Sequence, residues 1–510
     1  MSQLETINLL DEEQAKLAAP GDPVDESQKK EWKASAIVSD IATLGTGTLL
    51  AAVFNVGLVF VVPKLISVED FGYWRLFALY AGYVGFVHFG FADGVLLRWA
   101  GKNLHEFHAE IRPALRFLLW QHAILLVPLS LIAVLMLSGP LRFVAIGVAV
   151  YAVIFNCVTV LQFGLQSANV FRTVAVSTII PPALFLALAL LWHVLWQSSY
   201  REITALYATG WLAALVFLAK QVRPWGGANG THAMLDLAKR CVLAGWPIVF
   251  ANTAVMMIIY ADRLAVSWSA TIQDFAQYSL AGSAMAIPIT AIQACSKVFF
   301  SHLSRVTADG RKRVYGISSR VLLMAWTVLL PYYFALSLFI RHFLPKYTPS
   351  LVYARILLLA IPFVAAIQIL QVSFAYLNGM QRRFLWQSIV VLALTLGISS
   401  VAAFGTRSLQ IVAGVQVVML GSWWLVNEWR LRKLTGENLS ASLRFLGIYL
   451  PVSAIYWVIT SASTAQHPMI GTLIYYVCAA VLLILLCRSE LLTGIRKFRH
   501  QDRLEGASPS

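Results

Sequence analysis

Ionisable side chains inside long apolar stretches are the residues of this chain most able to do chemistry. Arg75 and Asp93 lie 18 residues apart in one stretch, five turns of an ideal helix, so they would share one helix face. Asp262 and Arg263 stand together at the end of another stretch, and Arg355, a weaker candidate, lies just inside a third. A charge at membrane depth costs roughly 3 kcal/mol on insertion scales, so such groups normally face a polar interior. The pattern predicts a polar pathway whose arginines could bind an anion.

The elements that must position these side chains are membrane helices. Hydrophobic residues make up 59% of the 510-residue chain and charged residues 12%, whereas a soluble protein carries about 25% charged residues. Apolar stretches of roughly 20 residues match a hydrocarbon core about 30 Å thick. Backbone groups in lipid must be satisfied within the protein, so these stretches must be helices. Between residues 44 and 487 we count 14 such stretches, which argues against a soluble protein.

The placement of the basic residues predicts the orientation. If the N-terminus is cytoplasmic, 30 of the 39 Lys and Arg residues fall on the cytoplasmic side and 9 on the other. This is the bias that the positive-inside rule describes, and it places both termini in the cytoplasm. The net charge of +15 is therefore interpreted as a topology signal beside anionic membrane lipids. We expect no nucleic-acid partner.

A weak internal repeat predicts two related halves. Asp-Phe-Gly-Tyr-Trp at 70–74 precedes the second stretch, and Asp-Phe-Ala-Gln-Tyr at 274–278 precedes the eighth, an offset of 204. Leu-Gln-Ser-Ala-Asn at 165–169 closes the fourth stretch, and Leu-Asn-Gly-Met-Gln at 377–381 follows the tenth, an offset of 212. Two halves of six helices each would share one orientation, related by an axis along the membrane normal.

The predicted fold class is an all-α polytopic membrane protein with about 14 transmembrane helices. Two pseudo-symmetric six-helix lobes are followed by two C-terminal helices. The predicted segments are a disordered cytoplasmic tail at 1–36, an N-lobe at 37–221, a flexible cytoplasmic linker at 222–240, a C-lobe at 241–432, helices 13 and 14 at 433–488, and a second cytoplasmic tail at 489–510.

The repeat also suggests a gate. The offset of 204 carries Asp93 onto Lys297, so an acid in one half corresponds to a base in the other, both near the cytoplasmic ends of their helices. We hypothesise that they close the inner mouth, with Asp262 as a further candidate for gating or ion coupling. Simpler interpretations remain open: Lys297 as a positive-inside anchor, Asp262 as part of a helix-end pair, and Arg75 as an interfacial arginine that reaches the headgroups.

Signatures of an enzyme are missing from the sequence. Gly101-Lys102-Asn103 lacks the spacing and the hydroxyl of a phosphate-binding loop, and no His-Glu-x-x-His helix or Cys and His metal spacing occurs. The gaps between stretches are too short to hold an extracytoplasmic catalytic domain. We therefore expect a transporter that needs no cofactor and no metal.

Two short motifs carry a resemblance to a known family. Lys64 to Trp74, which contains Leu-Ile-Ser-Val-Glu-Asp-Phe-Gly, and His88 to Gly94 resemble the N-terminal region of polysaccharide-biosynthesis flippases. These form the Wzx-type branch of the multidrug/oligosaccharidyl-lipid/polysaccharide exporter superfamily. Val68 stands where that family usually has proline, and Asp262-Arg263 resembles the counterpart in its second half. The motifs do not identify a sugar.

The resemblance implies two six-helix lobes around a cleft that opens alternately to each face. It implies a flippase of the bacterial plasma membrane, whose substrate is an oligosaccharide repeat unit on undecaprenyl pyrophosphate. Arg75 and Arg263 are the positions that would attract the pyrophosphate. A polysaccharide polymerase and a chain-length regulator would be the partners in O-antigen, capsule or exopolysaccharide synthesis.

Two other functions remain open from the sequence. A cation-coupled drug or organic-cation antiporter of the same superfamily would favour acidic groups in its cavity, whereas arginine is prominent here. A membrane polymerase or ligase of the same pathway would need an outer catalytic loop, which the gaps do not provide.

Overall fold

The computed structural model describes residues 34–222, 231–303, 308–435, 440–461, 468–482 and Ile484. Helices make up nearly all of these ranges, and no strand occurs within them. The predicted tails at 1–36 and 489–510 fall almost wholly outside the described residues, as does the part of the predicted linker from 223 to 230.

The helices are those of a multi-pass membrane protein. Eleven helices in the described part of the chain are long and apolar enough to cross a membrane, and a bent pair, Val68–His88 with Phe91–Trp99, makes up to 12. Phe445–Ser461 and Pro468–Leu482 are apolar but shorter. The all-helical membrane fold is therefore confirmed, while a total of 14 crossings stays a prediction. Exposed apolar residues such as Leu135 and Met136, 74% and 78% exposed, are suited to contact with lipid.

The chain divides into two compact units by its internal contacts. The first unit comprises Met1–Leu58 and Phe77–Thr253, and the second comprises Val59–Leu76 and Ala254–Ser510. This division differs from the predicted lobes, because a short segment of the N-terminal half belongs to the second unit.

The first unit has a core of large apolar side chains that includes Phe91, Trp99 and Phe107. Trp99 and Phe107 stack with ring centroids 4.4 Å apart. The helices with most or all of their residues in this unit are α1 (Ala34–Leu65), α3 (Phe91–Trp99), α4 (Leu104–Met136), α5 (Gly139–Ser167), α6 (Phe171–Leu195), α7 (Tyr200–Val222) and α8 (Thr231–Ile259).

Helix α8 begins earlier than the sequence predicted. Residues 231–240 form its first turns, although we assigned them to the flexible linker. Met234, Leu237 and Ala238 recur at helical spacing and are buried. This apolar face stabilises the helix and shortens the connection.

The second unit contains the start of the second predicted crossing and most of the C-terminal half. A π-helix at Ala366–Gln371 interrupts one of its crossings. Its helices are α2 (Val68–Ala81), α9 (Ala261–Ser269), α10 (Ile272–Leu303), α11 (Ala308–Leu329), α12 (Tyr332–Phe343), α13 (Ser350–Leu357), α14 (Ile361–Ala365), α15 (Val372–Leu377), α16 (Gln381–Thr406), α17 (Leu409–Thr435), α18 (Ser440–Ser461) and α19 (Pro468–Leu482).

The first repeat motif has the same local structure in both halves. Ser67 and Asp70 bond to each other at the start of α2, where the Ser67 hydroxyl also accepts the Asp70 backbone N–H at 3.0 Å. Thr271 and Asp274 repeat this arrangement at the start of α10. Because the hydroxyl satisfies a backbone donor that has no partner within the helix, each motif fixes a helix start. The offset is the predicted 204.

Gly72 and Phe71 of the same motif contribute to packing. A methyl group added to Gly72 would lie 2.4 Å from the Ile272 carbonyl oxygen, so only glycine allows this approach. Phe71 is buried edge-on against Tyr347, with centroids 5.3 Å apart. Burial raises the pKa of the Tyr347 phenol. Val68 occupies the first position of α2, where proline is also favoured. The helix therefore still starts here, although valine stands where the family that the motif resembles usually has proline.

The second repeat motif matches at a different offset. Asn169 and Gly379 both have left-handed backbone, with φ of 59° and 67°. The Val170 N–H bonds to the Leu165 carbonyl at 2.8 Å, and the Met380 N–H bonds to the Ala375 carbonyl at 2.9 Å. Both are six-residue helix ends of the Schellman type. The structural offset is therefore 210, whereas the sequence match suggested 212.

Candidate functional site

The second predicted crossing is broken in the middle. A 3₁₀ turn at Val84–His88 is followed by left-handed backbone at Phe89 and Gly90, with φ of 48° and 84°, and the crossing bends by 55°. The prediction that Arg75 and Asp93 share one face of a straight helix is wrong, because they lie on separate helices. Arg75 is half-buried on α2.

Close contact between glycines holds α3 against α8. A methyl group added to Gly94 would lie 1.9 Å from the Cys241 carbonyl oxygen, and one added to Gly245 would lie 1.9 Å from the Gly90 carbonyl oxygen. Each helix presents two small residues four positions apart, a spacing that lets membrane helices approach closely. The contact fixes the segment that carries Asp93.

A buried polar network lies beside the break. Asn156 donates from Nδ2 to the Val84 carbonyl oxygen at 2.9 Å and lies 2.9 Å from Nε2 of His122. The other ring nitrogen of His122 lies 2.7 Å from the Leu118 carbonyl oxygen. Asn156 and His122 are 0% and 1% exposed. Through these contacts Asn156 links the 3₁₀ turn at the break to His122 of α4.

His88 approaches Asp93 across the break. Its Nε2 lies 4.0 Å from Oδ2 of Asp93, whose side chain is 15% exposed. The Gly90 N–H donates to Nδ1 of His88 at 3.1 Å. On a continuous helix, His88 and Asp93 would point in different directions; the break brings the two together. In the sequence, the spacing of Gly90-x-x-x-Gly94 could have indicated this break.

An ion pair lies one helical turn beyond Asp93. Arg98 binds Glu110 through Nε at 3.1 Å and Nη2 at 2.8 Å, and the indole N–H of Trp99 donates to the same carboxylate at 2.7 Å. These contacts tie α3 to α4. This pairing could not be predicted from the sequence, because its partners are on different helices.

In the second unit, Asp262 and Arg263 are both buried, 2% and 7% exposed. Arg263 donates to the Gly282 carbonyl oxygen, and its guanidinium lies 4.5 Å from the Tyr260 ring centroid. Tyr278 donates to Asp262 at 2.7 Å. Adjacent residues of a helix do not face each other, and the two side chains contact different neighbours. Their roles in pyrophosphate binding and in coupling stay predictions.

Arg355 contacts the appended helix α18. It donates to the Ser461 hydroxyl at 3.0 Å, and its guanidinium lies 4.2 Å from the Trp457 ring centroid. The Tyr456 hydroxyl donates to the Arg355 carbonyl at 3.2 Å. These contacts connect α13 to α18, which gives Arg355 a structural role besides its predicted place at a cavity.

The proposed gate joins Asp93 to Lys297. Lys297 lies on α10, but its side chain falls outside the described residues. The pairing of Asp93 with Lys297 therefore stays a prediction.

A buried charge cluster near the end of α17 was not predicted from the sequence. Arg432 binds Glu428 through Nη2 at 2.7 Å and through Nε at 2.9 Å, and both residues are at most 5% exposed. Tyr315 donates to the same carboxylate, and Gln371 of the π-helix donates to it at 3.4 Å. In the sequence, the spacing of four residues between Glu428 and Arg432 could have indicated this ion pair. π-Helical turns are often found at functional sites.

No group of three potential ligands among His, Cys, Asp and Glu is placed to hold a metal ion in the part of the chain that the structure describes.

By sequence, no protein-family model and no curated protein matches the chain. By structure, the fold is similar to that of transporters of the MOP superfamily. The lipid II flippase MurJ, in an inward closed conformation, matches with a TM-score of 0.66 and 11% identity, over 88% of this chain and 99% of that one.

Two MATE family multidrug resistance transporters of the MOP superfamily also match. The inward-facing one has a TM-score of 0.58 and 11% identity, over 79% of this chain and 99% of that one. The outward-facing one has a TM-score of 0.51 and 12% identity, over 79% and 97%. At these identities the likeness concerns the fold, and membership of the polysaccharide flippase branch stays a prediction.

Proposed function

We propose that this protein is a flippase for oligosaccharide repeat units on undecaprenyl pyrophosphate. It would move them from the cytoplasmic to the outer leaflet of the bacterial plasma membrane, for O-antigen, capsule or exopolysaccharide synthesis. The observation that supports this best is the extent of the likeness to the lipid II flippase, which covers 88% of this chain, against 79% for the MATE transporters.

The chemistry of the substrate supports an interior with basic groups. The sugars and pyrophosphate cannot cross hydrocarbon, whereas the polyprenyl tail can remain in lipid. Arg263 is a cation inside the second unit, and Arg75 lies half-buried in the same unit. We assign the pyrophosphate to these two arginines. Arg355 is a weaker candidate, because it already has partners on α18.

The membrane potential supplies a driving force. With a negative cell interior, outward movement of about two negative charges gains roughly 4 to 5 kcal/mol per 100 mV. Translocation by alternating access would then proceed without ATP, in keeping with the missing phosphate-binding loop.

Lipid analysis of a deletion strain tests the proposal. We expect single lipid-linked repeat units to accumulate on the inner leaflet, where an external glycosidase cannot reach them. Exported but unpolymerised units would point instead to a polymerase, and normal lipids with normal glycan would contradict the proposal. Complementation with the wild-type gene is the control.

A cation-coupled antiporter is the second candidate. The likeness to an inward-facing MATE transporter, at a TM-score of 0.58, and the buried carboxyl of Asp262 favour it. Uptake of a fluorescent organic cation into vesicles under a proton or sodium gradient, abolished by Asp262→Asn, would support the antiporter.

A further inference from the structure

Two crossings of the second unit are interrupted at prolines. The ninth, Val314–Phe343, is broken between α11 and α12 at Pro331. The tenth, Ser350–Leu377, tightens to a 3₁₀ turn at Leu358–Ala360, just before Pro362. Proline has no N–H, so the carbonyl four residues before it loses its helical donor. In lipid, such a carbonyl must find another donor within the protein.

At Pro331 the replacement donors come from α19. The Thr327 carbonyl, four residues before the proline, accepts the Tyr475 hydroxyl at 2.9 Å. The next carbonyl, that of Val328, accepts the Tyr476 hydroxyl at 2.9 Å. Two consecutive tyrosines of one helix therefore bond to two consecutive carbonyls on the N-terminal side of the break.

The same two positions receive donors at Pro362. The Leu358 carbonyl, four residues before this proline, accepts the indole N–H of Trp326 in a long bond of 3.4 Å. The next carbonyl, that of Leu359, accepts the hydroxyl of Tyr449 on α18 at 3.0 Å. The two donor rings stack, with centroids 5.1 Å apart. The pattern at the first proline is thus repeated at the second.

The two C-terminal helices fit these crossings closely. A third tyrosine, Tyr456 of α18, donates to the Arg355 carbonyl just before the 3₁₀ turn at 3.2 Å. Its ring contacts that of Tyr475 on α19, with centroids 6.5 Å apart, and both side chains are 0% exposed. Gly471 of α19 receives the ring of Phe334, because an added methyl group would lie 2.6 Å from Cε1 of that ring.

Packing alone does not account for these hydroxyls. Phenylalanine would fill the same space, and a buried hydroxyl costs free energy unless it is hydrogen-bonded. Here the hydroxyls bond to main-chain carbonyls beside the two prolines, where the helix cannot supply all of its own donors. The hydroxyls therefore serve the breaks rather than the fit of the rings.

We propose that α18 and α19 form a clamp that holds the breaks of the ninth and tenth crossings in one conformation. The tyrosine hydroxyls supply the hydrogen bonds that Pro331 and Pro362 remove. A change of shape in either crossing must carry the clamp along or break these bonds. All the partners belong to the second unit. A link between release of the clamp and alternating access rests on the proposed function; the clamp itself does not.

Carbonyl NMR of the protein in lipid bilayers tests the bond from Tyr456. Arg355-Ile356 is the only Arg-Ile pair in the sequence, so labelling arginine with ¹³C at the carbonyl and isoleucine with ¹⁵N selects one carbonyl signal. We expect Tyr456→Phe to move this signal to lower chemical shift, because the carbonyl loses a hydrogen bond. A signal that stays in place overturns this contact of the clamp.

The same method tests the bond from Tyr475. Thr-Val pairs occur at 159–160, 173–174 and 327–328, so ¹³C-threonine with ¹⁵N-valine gives three carbonyl signals. We expect Tyr475→Phe to move the Thr327 signal and to leave the other two, which belong to the first unit, as internal controls. Three unchanged signals overturn the contact of α19 with the break.

Distances between spin labels test whether the clamp holds the shape of the ninth crossing. Labels at Val321→Cys and Leu338→Cys, both exposed positions, flank Pro331 in a background where the five native cysteines are alanine. We expect the distance distribution to shift or broaden when Tyr475→Phe and Tyr476→Phe are combined. An unchanged distribution in this double variant overturns the clamp.

Tyr353→Phe is the matched control for these distances. It removes the hydroxyl of a half-buried tyrosine of α13 that is not one of the donors. We expect it to leave the distance distribution unchanged. A shift as large as that of the tyrosine pair would show that the distances report a general loosening, and would overturn the clamp.

A cycle with proline removed tests why the hydroxyls are needed. Pro331→Ala returns an N–H to the break, so the Thr327 carbonyl regains a helical donor. We expect the combined Tyr475→Phe and Tyr476→Phe to lower the melting temperature in the wild-type background and to lower it less in Pro331→Ala. An equal loss in both backgrounds overturns the replacement of hydrogen bonds removed by proline.

These readouts need no substrate. Unchanged carbonyl signals and distances overturn the clamp and leave the flippase proposal standing, whereas a deletion strain with normal lipids overturns the flippase proposal and leaves these readouts unchanged.

Discussion

At the scale of residues, buried charges in this protein are satisfied by specific partners. Arg263 bonds to a carbonyl oxygen and lies over a tyrosine ring, and Glu428 is bound by Arg432. The sequence shows that Asp262 and Arg263 are adjacent, and adjacent residues of a helix face different neighbours, as they do here. It could not predict Tyr315 or Gln371 beside Glu428, because those partners come from distant parts of the chain.

The pair of Glu428 and Arg432 gives a prediction of stability. Glu428→Gln or Arg432→Met alone should destabilise the protein by about 3 kcal/mol, since each leaves a buried charge without its main counter-ion. Thermal unfolding in detergent is the measurement. The double variant should recover part of the loss, and a double variant as unstable as the two losses added together would contradict the pairing.

Arg263 gives a prediction of activity. Arg263→Lys should keep part of the flippase activity because the charge remains, whereas Arg263→Gln should lower it at least tenfold. Complementation of the deletion strain, normalised to the amount of protein in the membrane, is the measurement. Equal activity of the two variants would remove pyrophosphate binding from this residue, and Arg341→Gln, an exposed position, is the matched control.

At the scale of elements, the all-helical class and the positions of most apolar helices could be predicted from the sequence, but the interruptions could not. The second crossing looks like one continuous apolar stretch, and its break depends on contact between α3 and the distant α8. The sequence alone does not show which segment these glycines contact. The prediction that Arg75 and Asp93 share one helix face failed for this reason.

The glycine contact gives a second prediction of stability. Gly94→Ala should destabilise the first unit by roughly 3 kcal/mol or more, because the added methyl group meets the backbone of Cys241. Gly397→Ala, in the middle of α16 with open space around it, should be neutral or stabilising by about 0.5 kcal/mol. Thermal unfolding of the two variants is the comparison, and equal melting temperatures would contradict the close packing of α3 on α8.

At the scale of the whole molecule, the repeat is real in its local structure, although its offset changes along the chain. The helix starts at Ser67 and Thr271 match at 204, and the helix ends at Asn169 and Gly379 match at 210. Sequence identity placed the second match two residues away, because left-handed backbone accepts either asparagine or glycine. The fold class was thus predictable, whereas the substrate is not contained in the pattern.

The predicted topology is testable with reporter fusions. If α18 and α19 both cross the membrane, alkaline phosphatase fused after Ala465 should be active in the periplasm. A fluorescent protein fused after Ser510 should be bright in the cytoplasm. An inactive phosphatase at Ala465 would remove these two crossings and reduce the count from 14.

A reconstituted flip assay tests the central claim most directly. The purified protein is placed in liposomes that carry a fluorescent repeat unit on undecaprenyl pyrophosphate, and a membrane-impermeant reductant quenches the label in the outer leaflet. We predict quenching beyond the roughly half of the label that starts outside, fast with wild-type protein and slow with Arg263→Gln. Quenching that stops at half with active wild-type protein would contradict the account.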